Sequence, residues 1–222
     1  SSARSSFRRD SRGGSFLDDF VSSVFAVLGI GVLLFAISGV WPPMVAIESP
    51  SMEPNIDTGD LVFVMEETRF ASEYQQGETG VATAYAPTDT DYRKFNLPGD
   101  VIVYAPDGDR QATPVIHRVA FWVNETEDWS SKADPRFVPG ESTDCDQLTN
   151  CPAPNNGFIT LGDNNGQYDQ TRGGGEALSK PVKPEWVIGT AEFRMPVIGR
   201  LRLGVGSIAP TPTVEASKVA LS

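Results

Sequence analysis

Three hydropathy rhythms follow one another along the 222-residue chain. From Phe20 to Val40 no charged residue occurs, and the uncharged stretch continues to Ile47. Those 21 residues form a helix of roughly 31 Å at about 1.5 Å rise per residue, close to the hydrocarbon thickness of a bilayer. Trp41 at the exit suits an interfacial aromatic, and Pro42-Pro43 is expected to end the helix there. Beyond it the pattern shortens to that of strands. Asp60–Met65, Asp100–Tyr104, Val115–Val123, Gly157–Leu161 and Trp186–Phe193 are apolar or alternating runs. Turn residues such as Thr58-Gly59, Pro98-Gly99 and Pro106-Asp107-Gly108 bound them. Between the runs lie segments with no period, rich in Pro, Gly and Asp: 72–98, 128–156 and 163–185. No second amphipathic helix and no internal repeat is evident. The pattern predicts an N-terminal tail over 1–19, a membrane helix over 20–41, a mostly β domain over 42–205 and a loose tail over 206–222.

Charge refines this division. Arg4, Arg8, Arg9 and Arg12 precede the apolar run, which by the positive-inside tendency places the N-terminus in the cytoplasm and the β domain outside. A cleaved signal peptide has a shorter apolar core, although Ala36-Ile37-Ser38 is a passable cleavage site. Arg8-Arg9 also hints at a twin-arginine signal, but Asp10, Asp18 and Asp19 interrupt the approach. An uncleaved anchor is the expectation, with a buried core helix as a further alternative. The net charge is −11, and residues 1–19 carry +1 of it, so the remainder holds −12. That acidity argues against a nucleic-acid partner, which requires basic patches. Of the basic residues 13 are Arg and 5 are Lys. An acidic, lysine-poor surface suggests a halophile, the alternative being an ordinary soluble surface charged away from zero.

Candidate chemistry comes next. Cys145 and Cys151 are the only cysteines, and outside the cytoplasm they read as one disulfide closing a short loop. With a single distant histidine they are too few for a zinc site, and no cofactor is expected. Asn124-Glu125-Thr126 is a glycosylation sequon. Ser51 lies in Ser49-Pro50-Ser51-Met52-Glu53-Pro54, where a flexible segment is expected to meet the first strand. His117, the one histidine, lies in Val115-Ile116-His117-Arg118-Val119. A serine hydroxyl needs a base to take its proton, and imidazole titrates in the right range. Taken singly, Ser51 reads as a turn residue and His117 as a structural histidine. The loop Gly162-Asp163-Asn164-Asn165-Gly166-Gln167-Tyr168-Asp169 adds two carboxylates, or else an Asx-rich turn or a calcium loop short of ligands.

Together these segments resemble a type I signal peptidase of the archaeal and endoplasmic-reticulum kind, over the anchor and most of residues 42–193. Ser49-x-Ser51-Met52-x-Pro54 is similar to the family's nucleophile box. Gly99-Asp100-Val101-Ile102-Val103-Tyr104 followed by Ile116-His117-Arg118-Val119 is similar to its general-base box. Gly162-Asp163-Asn164-Asn165 through Asp169 is similar to its acidic box. The bacterial branch has lysine where this chain has His117, and Lys94 falls outside that position. The resemblance implies a signal-peptidase-like β fold and a serine endopeptidase with Ser51 as nucleophile and His117 as general base. Asp169 is then expected to orient His117, and Asp163 to support the loop or the serine region. The backbone N–H of Ser51 and the Ser49 hydroxyl are the implied oxyanion donors, with Pro50 standing where the family commonly has glycine. The implied partners are signal peptides of secretory precursors, the lipid bilayer and the translocation machinery. A tethered, non-catalytic β module is the competing reading, and pilin-like or surface-layer substrates are a third.

Overall fold

The computed structural model describes residues 12–69, 71–85, 91–141, 144–171 and 176–196; the tail expected from residue 206 lies outside them. Helix α1 (Arg12–Ser38) is 27 residues long. Within its stretch Phe16–Ser38 an 18-residue window reaches a mean hydropathy of 2.6 and none of that window is packed inside the protein, so the stretch is long and apolar enough to cross a membrane. The helix differs from expectation at both ends: it begins at Arg12 rather than residue 20 and stops at Ser38, before Trp41 and Pro42-Pro43.

The reason for the early stop is local. Gly39 adopts φ 79°, a left-handed conformation that costs glycine little, and its N–H closes on the Phe35 carbonyl at 2.8 Å. A helix leaves its last four carbonyls without intrahelical donors. Here the carbonyls of Ala36 and Ile37 accept from Arg69 Nη1, and that of Ser38 accepts from Glu66 N–H at 2.8 Å. The helix end is therefore satisfied by the β domain itself, and the arginine's charge complements the helix dipole.

The β domain centres on one six-stranded sheet. Its strands in chain order are β1 (Met44–Ala46), β2 (Leu61–Met65), β5 (Val101–Tyr104), β6 (Val115–Val123), β7 (Gly157–Leu161) and β8 (Val187–Met195). In space they run β1-β2-β8-β5-β6-β7, every neighbouring pair antiparallel. A small hairpin, β3 (Arg93–Lys94) with β4 (Leu97–Pro98), stands apart from it. Its two-residue turn, Phe95-Asn96, takes φ 50° and 69°, the twist such tight hairpins need. Among the described residues, α1 is the sole α-helix; the loops hold only short 3₁₀ turns.

Strand β5 explains why the sheet has apolar side chains on both faces. All four of its residues are buried. Ile102 and Tyr104 pack with Phe158, Val119 and Val182 on one side, while Val101 packs with Met52, Ile56 and Val62 on the other. A third cluster gathers Phe121, Trp129, Ile159 and Tyr168. The β6–β7 pairing shifts between Val119 and Phe121. This bulge sends two residues of like parity, Val119 and Phe121, into different clusters.

Candidate active site

Ser51 sits on a 3₁₀ turn, Pro50–Met52, between β1 and β2. The expectation that a flexible segment meets the first strand here needs correction, because β1 precedes the turn and the turn is anchored. Met52 and Ile56 are fully buried, and both Asn55 and Ile56 N–H bond to the Met52 carbonyl, at 3.0 and 2.9 Å. From outside, Asn164 N–H donates to the Ser51 carbonyl at 2.8 Å and Asn164 Nδ2 to that of Pro50 at 3.2 Å. This approach needs glycine at 162, where a Cβ would lie 2.7 Å from the Ser51 carbonyl oxygen. Ser51 Oγ lies 3.1 Å from Ser49 Oγ. That hydroxyl, rather than the imidazole, is its hydrogen-bond partner.

His117 lies mid-strand in β6, opposite Ile102 of β5, and is 4% exposed. Its Nδ1 is 2.6 Å from Asp169 Oδ2. Asp169 is 1% exposed, and the same oxygen accepts from Thr160 Oγ1 at 2.6 Å and from Tyr104 OH at 3.0 Å. A carboxylate at Nδ1 selects the tautomer with the proton there, which leaves Nε2 as the acceptor.

Asp163 does something else. It forms a two-pronged pair with Arg118, Nε to Oδ1 at 2.7 Å and Nη2 to Oδ2 at 2.8 Å, and accepts from Asn55 Nδ2 at 2.9 Å. Arg118 Nη1 reaches on to the carbonyls of Lys94 and Gly99, at 2.8 and 2.9 Å. The buried arginine thus ties the β3–β4 hairpin and the acidic loop to the turn that follows the serine.

Asp100, in the same motif as His117, lies elsewhere. It accepts from Ala82 N–H at 2.7 Å and from Tyr92 OH, and burial raises its carboxyl above the ordinary value despite the Ala82 hydrogen bond. Burial, followed by the Asp100 charge, likewise raises the Tyr92 hydroxyl. Lys94 pairs with Glu192.

Ser49, Ser51 and His117 line one open groove of about 910 Å³, together with Val45, Ile47 and Asn164. One wall is β1, which among the described residues pairs only with β2, so that its outer edge is left open by them. Among the sequence-predicted residues, the fold brings Ser49, Ser51 and His117 to the groove and puts Asp169 behind His117, with Asp163 on the Arg118 side. Cys145 and Cys151 are disulfide-bonded, with Cα atoms 5.1 Å apart. They lie beside Asp128 as the one metal-like cluster among the described residues, but the bridge leaves no thiolate to bind an ion. Tyr104, Thr160, Asn55 and Arg118 were not singled out from the sequence for any role in a site. For Tyr104, Thr160 and Arg118 the signal, a polar group inside an otherwise apolar run, also fits an ordinary strand, and Asn55 reads as one more polar residue of a turn.

No family model and no curated protein matches this chain. Fold and site together define a mostly β domain behind a helix able to span a membrane, with a serine and a carboxylate-backed histidine on one groove.

Proposed function

We propose that this chain is a membrane-bound serine endopeptidase of the type I signal-peptidase kind, which removes signal peptides from secretory precursors. The observation that carries the reading is the His117–Asp169 contact of 2.6 Å behind a groove that Ser51 shares with His117. In the mechanism Ser51 Oγ adds to the scissile carbonyl while His117 Nε2 takes its proton. The Ser51 N–H and the Ser49 hydroxyl meet the oxyanion, each such donor being worth about 2.7–4 kcal/mol. Collapse breaks the C–N bond, and His117 returns the proton to the leaving amine. A water, deprotonated by His117, then cleaves the acyl ester, freeing the signal peptide's carboxylate and restoring Ser51.

The open edge of β1 suits an extended peptide added as a further strand. The arginines before α1 support a cytoplasmic N-terminus, with the β domain on the extracytoplasmic face where precursors emerge from the translocation machinery. The acidic, lysine-poor composition supports a halophilic source, so activity is to be sought at high salt. The test incubates the membrane-embedded protein with a secretory precursor and compares wild type with Ser51→Ala and His117→Ala. Cleavage after a small residue, lowered by a factor on the order of 10⁴ or more in both variants, supports the reading. Folded wild type that cleaves no precursor at any salt would leave a tethered β module instead.

A further inference from the structure

Three hydrogen-bond donors converge on a single oxygen of Asp169, and one of them is itself aimed by a fully buried amide. Gln170 is 0% exposed and takes no part in the chemistry described above. Its Oε1 accepts from the Thr160 backbone N–H at 2.9 Å, which fixes the amide so that Nε2 faces Thr160 Oγ1, at 3.3 Å. Nε2 can only donate, so the Thr160 oxygen is the acceptor there. The hydroxyl's one proton then goes to Asp169 Oδ2 at 2.6 Å in preference to the neutral Tyr104 hydroxyl at 3.4 Å. Tyr104 OH supplies a second hydroxyl to the same atom at 3.0 Å. A carboxylate's terminal torsion is broad, and nothing in its own covalent geometry would hold Oδ2 toward the imidazole. The backbone N–H of Asp169, bonded to the Thr160 carbonyl at 3.0 Å, and its carbonyl, accepting from Leu178 at 2.7 Å, hold the main chain but leave that torsion free.

We propose that Thr160 is a positioning residue for this site: its hydroxyl, directed by Gln170 and seconded by Tyr104, holds the Asp169 carboxylate where it keeps His117 in the Nδ1–H tautomer. The kinetic consequence rests on the peptidase reading; the tautomer consequence does not. Thr160→Val keeps the branched shape and loses the donor, Thr160→Ser keeps the donor, and Tyr104→Phe removes only the second hydroxyl.

The experiment uses the full chain in nanodiscs with two readouts. Imidazole ¹⁵N resonances report the tautomer without ambiguity, because the chain has one histidine. Precursor cleavage gives kcat and KM. Thr160→Val is expected to lose part of the Nδ1–H population and about 10- to 100-fold in kcat, short of the ~10⁴-fold that follows when the wrong tautomer is held outright. KM stays within about twofold, as for an interaction that acts on the transition state. Tyr104→Phe moves both readouts the same way by less, and Thr160→Ser restores them. An unchanged tautomer in both Thr160→Val and Tyr104→Phe overturns the positioning role, even if wild type cleaves precursors. A tautomer that responds in a protein that cleaves nothing supports the positioning role and removes the peptidase reading alone.

Discussion

Replacing Gly162 by alanine tests whether the acidic loop holds Ser51 or merely passes near it. A Cβ at this position would stand 2.6 Å from Asn165 Nδ2 and 2.7 Å from the Ser51 carbonyl oxygen. The Asn165 side chain can swing aside. The serine carbonyl cannot, because its turn is pinned by buried Met52 and Ile56. To reach an ordinary contact of 3.4 Å the two backbones must part by about 0.7 Å. That stretches the 2.8 Å bond from Asn164 N–H to the Ser51 carbonyl toward 3.5 Å, past the normal N–H···O range, where most of its strength is lost. The lost bond costs about 1 kcal/mol and the overpacking about 1–3, so Gly162→Ala is expected to lose about 2–4 kcal/mol of stability. If Ser51 is the nucleophile proposed above, its displacement by several tenths of an ångström costs catalysis as well, on the order of 10²-fold for a full ångström. Thermal unfolding and kcat/KM on a precursor peptide measure both. Gly166→Ala is the control, since a Cβ there meets nothing within 4 Å. A Gly162→Ala protein that melts and cleaves like Gly166→Ala would refute the clamp.

Asp163 and Asp169 are expected to fail in different ways. Asp163→Ala strands the Arg118 guanidinium, whose side chain is 7% exposed, and loses about 3–5 kcal/mol by thermal or denaturant unfolding. Asp169→Asn is expected to keep the fold and lose turnover by about 10⁴-fold, as when the imidazole is held in the wrong tautomer; equal losses of stability in the two variants would contradict the division. Asp100 gives a pH signature. Burial raises its carboxyl in the folded state, so its contribution to stability is fully present below about pH 3.9, the unfolded value, and is lost as pH rises through the raised folded value. Asp100→Asn removes that loss, so its stability relative to wild type should increase from acid to neutral pH in denaturant titrations. A difference that shrinks or stays flat would show the carboxylate to be favoured in place.

The strands that turn residues bracket on both sides were legible almost to the residue. Val115–Val123 and Gly157–Leu161 stand as β6 and β7, and the runs at 60–65 and 100–104 each begin one residue later. What escaped has local causes. The three-residue β1 follows Pro42-Pro43 with no alternation to mark it, and the β3–β4 hairpin turns on Phe95-Asn96, not on a glycine. The helix end was misplaced because Gly39 reads as one more small residue in an apolar run, while its partners Glu66 and Arg69 lie some thirty positions away. At the candidate site, Ser51, His117 and Asp169 were legible as motif positions. Thr160 and Gln170 were not, since their role depends on the pairing of β6 with β7 and on which atoms an amide turns toward a hydroxyl.

That pairing also accounts for the presence of two carboxylates in one loop. Neighbouring residues on a strand point to opposite faces, so His117 and Arg118 of β6 require partners on different sides of the sheet. Strand β7 lies beside them, with Leu161 opposite Arg118 and Thr160 opposite Val119. The chain leaving β7 delivers Asp163 to Arg118 first, at the serine turn. It then folds back so that Asp169 N–H meets the Thr160 carbonyl, bringing the second carboxylate to His117 on the other face. One loop thereby braces the Ser51 turn with one acid and orients the imidazole with the other. A one-residue slip of β6 against β7 would exchange the faces and leave a buried guanidinium and a buried carboxylate each without its partner. The register is therefore as much a part of the site as the side chains it presents.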